Sequence, residues 1–347
     1  MITGHGDDRY QYQKPVCADF SSNVRMGGTP PELISHLREN LDLIGNYPEP
    51  DAAELCREMA ALHQVNSNQV LAFNGSVEAF YTIALAFRNS VSGVLYPAFA
   101  EYEDACRIHE HQLQFFRSTE WGNALKAQTD LLWIGNPNNP DGHVFTFSEI
   151  EKALEACPRT TFVVDEAYAG LVAGFESAVA LTTGYSNLIV VRSLTKCSAI
   201  PGLRLGYVLA SEQLAARLRD FQQPWSVNSL AQETGKFIAR NPGLFSPDTQ
   251  RIRQLSSGLQ QAIGQLGGFR VIPSGAPFFL TEMQTGTAAQ LKHFLLNHHG
   301  ILIRDASNFR GLGPNHFRVS ALSAEDNQLL LNGLSDWKDN RMNERNH

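Results

Sequence analysis

From about residue 69 to 210 the chain alternates short β-branched or aromatic runs with amphipathic stretches, and this rhythm restricts the fold more than any other feature. GVLYP (93–97), DLLWIGNP (130–137), TTFVVDEA (160–167), LIVVRS (188–193) and RLGYVLA (204–210) read as buried strands. Between them SVEAFYTIALAFR (76–88), FAEYEDACRIHEH (99–111) and FSEIEKALEAC (147–157) carry apolar residues at helical spacing. Such alternation predicts an α/β fold with a mostly parallel central sheet covered by helices on both faces. After residue 235 the texture changes to a polar helix (about 246–264), FRVIPSGAPFFLTEM, a helix near 287–299, GILIRD, HFRVSAL and a closing helix. That order predicts a smaller α+β domain. The expected division is a large domain over 46–235, with the N-terminal arm (1–45) joining 236–347 as the second unit.

At 347 residues the chain has material for two lobes. Its net charge of −7 argues against a nucleic-acid or anionic-membrane partner, and no apolar run approaches the roughly 20 residues of a membrane helix. MITGHGDDRY lacks a basic segment followed by an apolar one, so no secretory signal is expected. Cys17, Cys56, Cys106, Cys157 and Cys197 are scattered without a CxxC pair. The expectation is a cytoplasmic protein with neither a zinc site nor a disulfide framework.

Open α/β sheets place their sites at the carboxyl ends of strands, and here those ends carry NPNNPDG, DEAY and RSLTK. A neutral lysine amine condenses with an aldehyde. The common aldehyde cofactor, pyridoxal phosphate, also needs a carboxylate at its ring nitrogen, donors at its phenolic oxygen and an anion cradle for its phosphate. Lys196, Asp165, the pair Asn139 and Tyr168, and the set NGS (74–76), Ser193, Thr195 and Arg204 match those needs. Each group has a plainer reading taken singly. Asp165 suits a helix cap, NPNNPDG a turn, Lys196 a solvated surface, Arg204 a pair with a surface acid, and Ser193 and Thr195 solvated hydroxyls or local caps. NGSVE also reads as a helix start with a capping box. The complete set, in order at strand exits, favours the shared pocket.

NPNNPDG, DEAY and SLTKxxxxPGLRLGY together resemble the class I/II aminotransferase superfamily of fold-type I pyridoxal-phosphate enzymes, over nearly the whole chain. The resemblance implies Lys196 as the Schiff-base lysine and Asp165 as the partner of the pyridine nitrogen, with Tyr168 completing the catalytic group. It implies Asn139 and Tyr168 at the ring oxygen, Gly75, Ser76, Ser193, Thr195 and Arg204 at the phosphate, and Tyr102 stacked on the ring. NYPEP (46–50) resembles a segment whose tyrosine, here Tyr47, reaches the neighbouring subunit's cofactor phosphate, which implies a homodimer.

More narrowly, RSLTKxxAIPGLRLGY, PWSVNSLA, GILIRDASNFRGLG, DFSSNV and GHGDD resemble the threonine-phosphate decarboxylase group of cobalamin synthesis, relatives of the histidinol-phosphate aminotransferases. This implies Arg318 at the substrate carboxylate, Arg304 at a substrate phosphate, and Asn23 and His5 closing over the substrate. Arg310 reads as a third anion contact or a solvated loop residue. Leu322 stands where the decarboxylase group often has a basic residue. Decarboxylation and transamination need the same Lys, Asp and Asn, and differ in which Cα bond stands upright to the ring. Two other classes remain as alternatives. A non-catalytic cofactor-binding module lacks its DNA-binding extension here, and a nucleotide-dependent oxidoreductase lacks GxGxxG after its first strand.

Overall fold

The computed structural model describes residue 6 and residues 8–345. The chain enters through a two-residue strand, β1 (Ala18–Asp19), and then builds a seven-stranded sheet. Its strands are β2 (Val70–Phe73), β3 (Val91–Tyr96), β4 (Gln112–Arg117), β5 (Leu131–Gly135), β6 (Thr161–Asp165), β7 (Leu188–Ser193) and β8 (Gly206–Ala210). The spatial order is β2-β8-β7-β6-β5-β3-β4. Every pairing is parallel except those of β8, which runs antiparallel to both β2 and β7.

Both faces of this sheet are buried. Along β5, Leu132 and Ile134 face one core while Leu131 and Trp133 face the other. On β6, Phe162 and Val164 alternate with Val163 in the same way. A strand covered on both sides has no polar face, and so reads as a continuous apolar run. Two strands were not expected from the sequence. β2 spans only four residues and flows into the next helix, and β4 is a half-exposed edge strand whose glutamines break the apolar signal.

The second sheet orders β12-β13-β10-β9, from β9 (Phe269–Val271), β10 (Phe278–Met283), β12 (Arg304–Asp305) and β13 (His316–Ser320). β1 pairs in parallel with β11 (Ile301–Leu302), which carries Phe20 into the core between these strands and the helices Thr249–Gln265, Ala288–His299 and Ala324–Arg345. Leu33, on the helix Pro31–Glu39, lies instead in the core of the large sheet. The chain therefore crosses from one core to the other between residues 20 and 33.

Candidate active site

β5, β6 and β7 lie side by side and end at Gly135, Asp165 and Ser193, so their exits share one edge of the sheet. Because β8 runs the other way, Arg204, two residues before its start, reaches that same edge. Gly206 is the register partner of both Phe73 and Ser193. Gly75, Ser76, Ser193, Thr195 and Arg204 therefore converge although they span 130 residues of sequence. Gly75 has φ +80°, and a Cβ there would stand 2.5 Å from Arg204 Nη2, so only glycine lets the guanidinium lie against the start of the helix Gly75–Ala86. The expected capping box forms only in half. Asn74 N donates to Glu78 Oε2 at 2.5 Å, but the Asn74 side chain caps nothing. With Gly75 as the first helical residue, Glu78 falls one place beyond the box position.

Lys196 sits on a single helical turn, Leu194–Cys197, directly after β7. Arg25 N donates to its carbonyl at 3.0 Å, and its Nζ lies 5.9 Å from the centre of the Tyr168 ring. Asp165 takes the strand face of Val163, the face that also carries Trp133 and Tyr102. Its Oδ2 accepts from the Tyr102 hydroxyl at 2.5 Å and its Oδ1 from Ala167 N at 3.0 Å. Burial pushes its carboxyl up to about 6, against the opposing pull of those two donors. Tyr102 is held by its ring neighbours, stacked on Trp133 with centroids 5.7 Å apart and edge-on to Phe80 at 5.0 Å. Tyr168 packs edge-on against Phe278 at 4.7 Å.

The turn NPNNPDG divides its labour. Asn136 exchanges bonds with Phe145 O and N, and Asn138 donates to Pro97 O and Asp141 Oδ1, so these two amides hold the turn. Asn139 is left to face the site, where its Oδ1 accepts from Arg318 Nη1.

Two cavities share Phe99, Asn139, Tyr168 and Lys196 as a common wall. The inner one, about 150 Å³, is also lined by Ser76, Tyr102, Asp165, Ser193, Thr195 and Arg204. The outer one, about 200 Å³, adds Asn23, Glu103, Arg304, Arg310 and Arg318. Arg318 is 4% exposed; its Nη2 donates to Ser21 O at 2.6 Å and its Nε meets no acceptor. Burial pushes its guanidinium down to about 10, with the Arg304 charge adding to the effect, and burial lowers Arg304 as well. Asn23 is 2% exposed, and neither its Oδ1 nor its Nδ2 has a partner. Buried polar groups in this state are completed by a ligand or by water.

Thus every candidate of the cofactor set lines one of the two cavities except Gly75, which lies behind the Arg204 guanidinium, and Tyr47. Tyr47 is 89% exposed and tilts against Trp225 at 5.8 Å, away from them. His5 lies outside the described residues. Sequence reasoning missed Ser21, whose carbonyl orients Arg318, and Asn308, whose Oδ1 accepts from Arg304 Nη2 at 2.8 Å. It also missed Glu103, which had no signal beyond its place beside Tyr102. Arg310 is paired with that carboxylate at 2.6 Å.

An amine beside a buried carboxylate, with a guanidinium laid in a glycine cradle at a helix start, is a donor set that fits pyridoxal phosphate. A Cβ at Gly75 would fill that cradle. Fold and site together define an enzyme of the pyridoxal-phosphate type. The chain belongs to the aminotransferase class I and II family, whose model matches residues 15–334. Pyridoxal phosphate is the cofactor this family calls for. Among curated relatives, a threonine-phosphate decarboxylase of Salmonella typhimurium is 32% identical, the match covering 91% of this chain and 90% of that protein. A histidinol-phosphate aminotransferase of Haemophilus influenzae is 30% identical over 91% of this chain and 88% of its own. The solved structure of an L-threonine-O-3-phosphate decarboxylase from Porphyromonas gingivalis superposes with a TM-score of 0.90 at 40% identity, covering 92% of this chain and 99% of that one. No helix among the described residues is long and apolar enough to cross a membrane.

Proposed function

We propose that the protein decarboxylates O-phospho-L-threonine to an aminopropanol phosphate and carbon dioxide. The observation that carries this reading is the pair of buried guanidiniums, Arg304 and Arg318, 7% and 4% exposed, in the wall of the outer cavity. Two guanidiniums in one cavity wall suit a ligand with two anionic groups, and a phosphorylated amino acid brings two: a phosphate for Arg304 and a carboxylate for Arg318. The decarboxylase relatives support the same substrate class.

Pyridoxal phosphate, when bound, supplies the electron sink that takes up the pair released at Cα. The protein's part is to hold and orient. Lys196 Nζ would hold the cofactor at its aldehyde, Asp165 would pair with its ring nitrogen, and Asn139 and Tyr168 would meet its ring oxygen. Tyr102 walls the ring. Gly75, Ser76, Ser193, Thr195 and Arg204 receive the phosphate. Arg304 would anchor the substrate phosphate and Asn23 would close from the N-terminal side, the two together orienting the substrate for loss of its carboxylate. Lys196 Nζ then delivers a proton to that carbon.

The exposed apolar residues Leu41, Ile44, Tyr47 and Trp225 support a homodimer in which Tyr47 reaches the neighbouring site. We take the large domain as residues 46–235; Leu33 before it, and Ile238 and Phe245 after it, also pack into its core. The five cysteines carry no disulfide, and a reducing cytoplasm is the setting we favour.

The test is a panel of phosphorylated amino acids and amines, with 2-oxoglutarate present and absent, read for carbon dioxide and glutamate together. Carbon dioxide from O-phospho-L-threonine that needs no keto acid is the expected result. Glutamate from histidinol phosphate without carbon dioxide release would transfer the protein to the aminotransferases.

A further inference from the structure

Glu103 follows Tyr102 on the helix Ala100–Ile108 and is 5% exposed. Its Oε1 accepts from Arg310 Nη2 at 2.6 Å and its Oε2 from Arg310 Nε at 2.9 Å, a two-pronged pair. Arg107, one helical turn on, donates to the same Oε1 at 2.7 and 2.9 Å. Burial alone would raise this carboxyl, but hydrogen bonds from Arg310 and then Arg107 outweigh it and hold it below the usual range. The Arg310 guanidinium carbon also lies 3.7 Å from the centre of the Phe115 ring.

These contacts make Arg310 unlike its neighbour in the cavity. Arg318 donates to an amide and a carbonyl oxygen, both neutral. Arg310 is already matched to a carboxylate, and recruiting it to a second anion would break a two-pronged pair and leave the buried acid to Arg107 alone. Its loop is pinned at both ends. On one side Asn308 meets Arg304, and Phe309 lies 5.2 Å from the Arg304 guanidinium carbon. On the other, Gly311 at φ +81° lies so close to Tyr96 that a Cβ there would come within 2.6 Å of the ring. Glu103, Arg310, Phe115 and Tyr96 all line the outer cavity, whose volume of about 200 Å³ is small beside the ~300–1,000 Å³ of pockets for larger ligands.

We propose that the Glu103–Arg310 pair is the wall that sets substrate length, admitting a short phosphorylated amino acid and turning away a bulky aromatic one. Arg310 is then a specificity-determining residue by position and not an anion contact. The inference rests on the phospho-amino-acid reading of the outer cavity.

The experiment follows carbon dioxide release from O-phospho-L-threonine by holoenzyme of the wild type, Arg310→Ala and Arg310→Met, and takes as affinities the KM of that substrate and the inhibition constant of L-histidinol phosphate against it. Arg107 remains on Glu103 in both variants. Arg310→Ala opens the wall, so the affinity ratio of histidinol phosphate to phosphothreonine should rise tenfold or more. Arg310→Met removes the charge while keeping most of the bulk, so the ratio and both affinities should stay within about threefold of wild type. A loss of tenfold or more for both ligands in both variants would mark Arg310 as an anion contact and overturn the proposal; an unchanged ratio in Arg310→Ala would do the same. If Arg310→Ala loses its cofactor absorbance, Arg310→Met alone decides between wall and anion contact. Failure of the decarboxylase assignment would show separately, as wild-type holoenzyme that releases no carbon dioxide.

Discussion

Tyr102→Phe isolates one hydrogen bond at the cofactor carboxylate. In the native protein the Tyr102 hydroxyl donates to Asp165 Oδ2 at 2.5 Å inside a buried site. Asp165 stands at about 6 against an ordinary value of 3.8. For an acid raised on folding, its contribution to stability is fully present below the unfolded value and is lost as pH climbs to the folded one. Without cofactor, the wild type should therefore lose roughly 3 kcal/mol from this group between pH ~4 and ~6, and nothing further above that. A hydrogen bond to a charged group is worth about 1.5–3 kcal/mol, so deleting the hydroxyl should raise Asp165 by a further ~1–2 units. The variant should then go on losing stability up to pH ~7–8. Urea midpoints of the cofactor-free proteins at pH 5, 6, 7 and 8 read this directly, and titrations common to both chains cancel in the difference. The gap should be small at pH 5 and widen by about 1–3 kcal/mol by pH 8. A gap constant across that range would mean that the hydroxyl does not stabilise the ionised carboxylate, and the argument for how this site tunes Asp165 would fail.

Two further outcomes follow from the site. Lys196→Ala should purify without the visible absorbance of bound cofactor and release no carbon dioxide, and added pyridoxal phosphate should wash away on gel filtration; a retained coloured complex would remove Lys196 from its role. Gly75→Ala places a Cβ at φ +80° and 2.5 Å from Arg204 Nη2, a strain of ~1–3 kcal/mol. Cofactor affinity, measured by fluorescence titration, should fall tenfold or more while the thermal midpoint moves only a few degrees, and unchanged affinity would contradict the cradle.

Much of this was legible in the sequence because it is written locally. Five buried strands of the large sheet announced themselves as apolar runs, and the polar groups at three of their exits announced a site. The short β2 and the half-exposed β4 did not, since one has too few residues and the other too mixed a surface for periodicity to register. The turn NPNNPDG shows the limit within a single motif. Its turn-forming character is plain in the sequence, but only the structure separates Asn136 and Asn138, spent on the turn, from Asn139, turned into the cavity.

The chain by itself determined the residue types, the α/β alternation and the strand exits that carry Lys196, Asp165 and Asn139, because those depend on near neighbours. Tertiary structure decided which distant groups meet. Arg204 joins Gly75 because β8 runs antiparallel between β2 and β7. Ser21 reaches Arg318 across 297 residues because β1 pairs with β11 and draws the arm over the cavity. Arg310 pairs with Glu103 because a loop from the second sheet closes on the helix that carries Tyr102. Strand order and direction are settled by packing over the whole molecule, and no local window of sequence contains that sum.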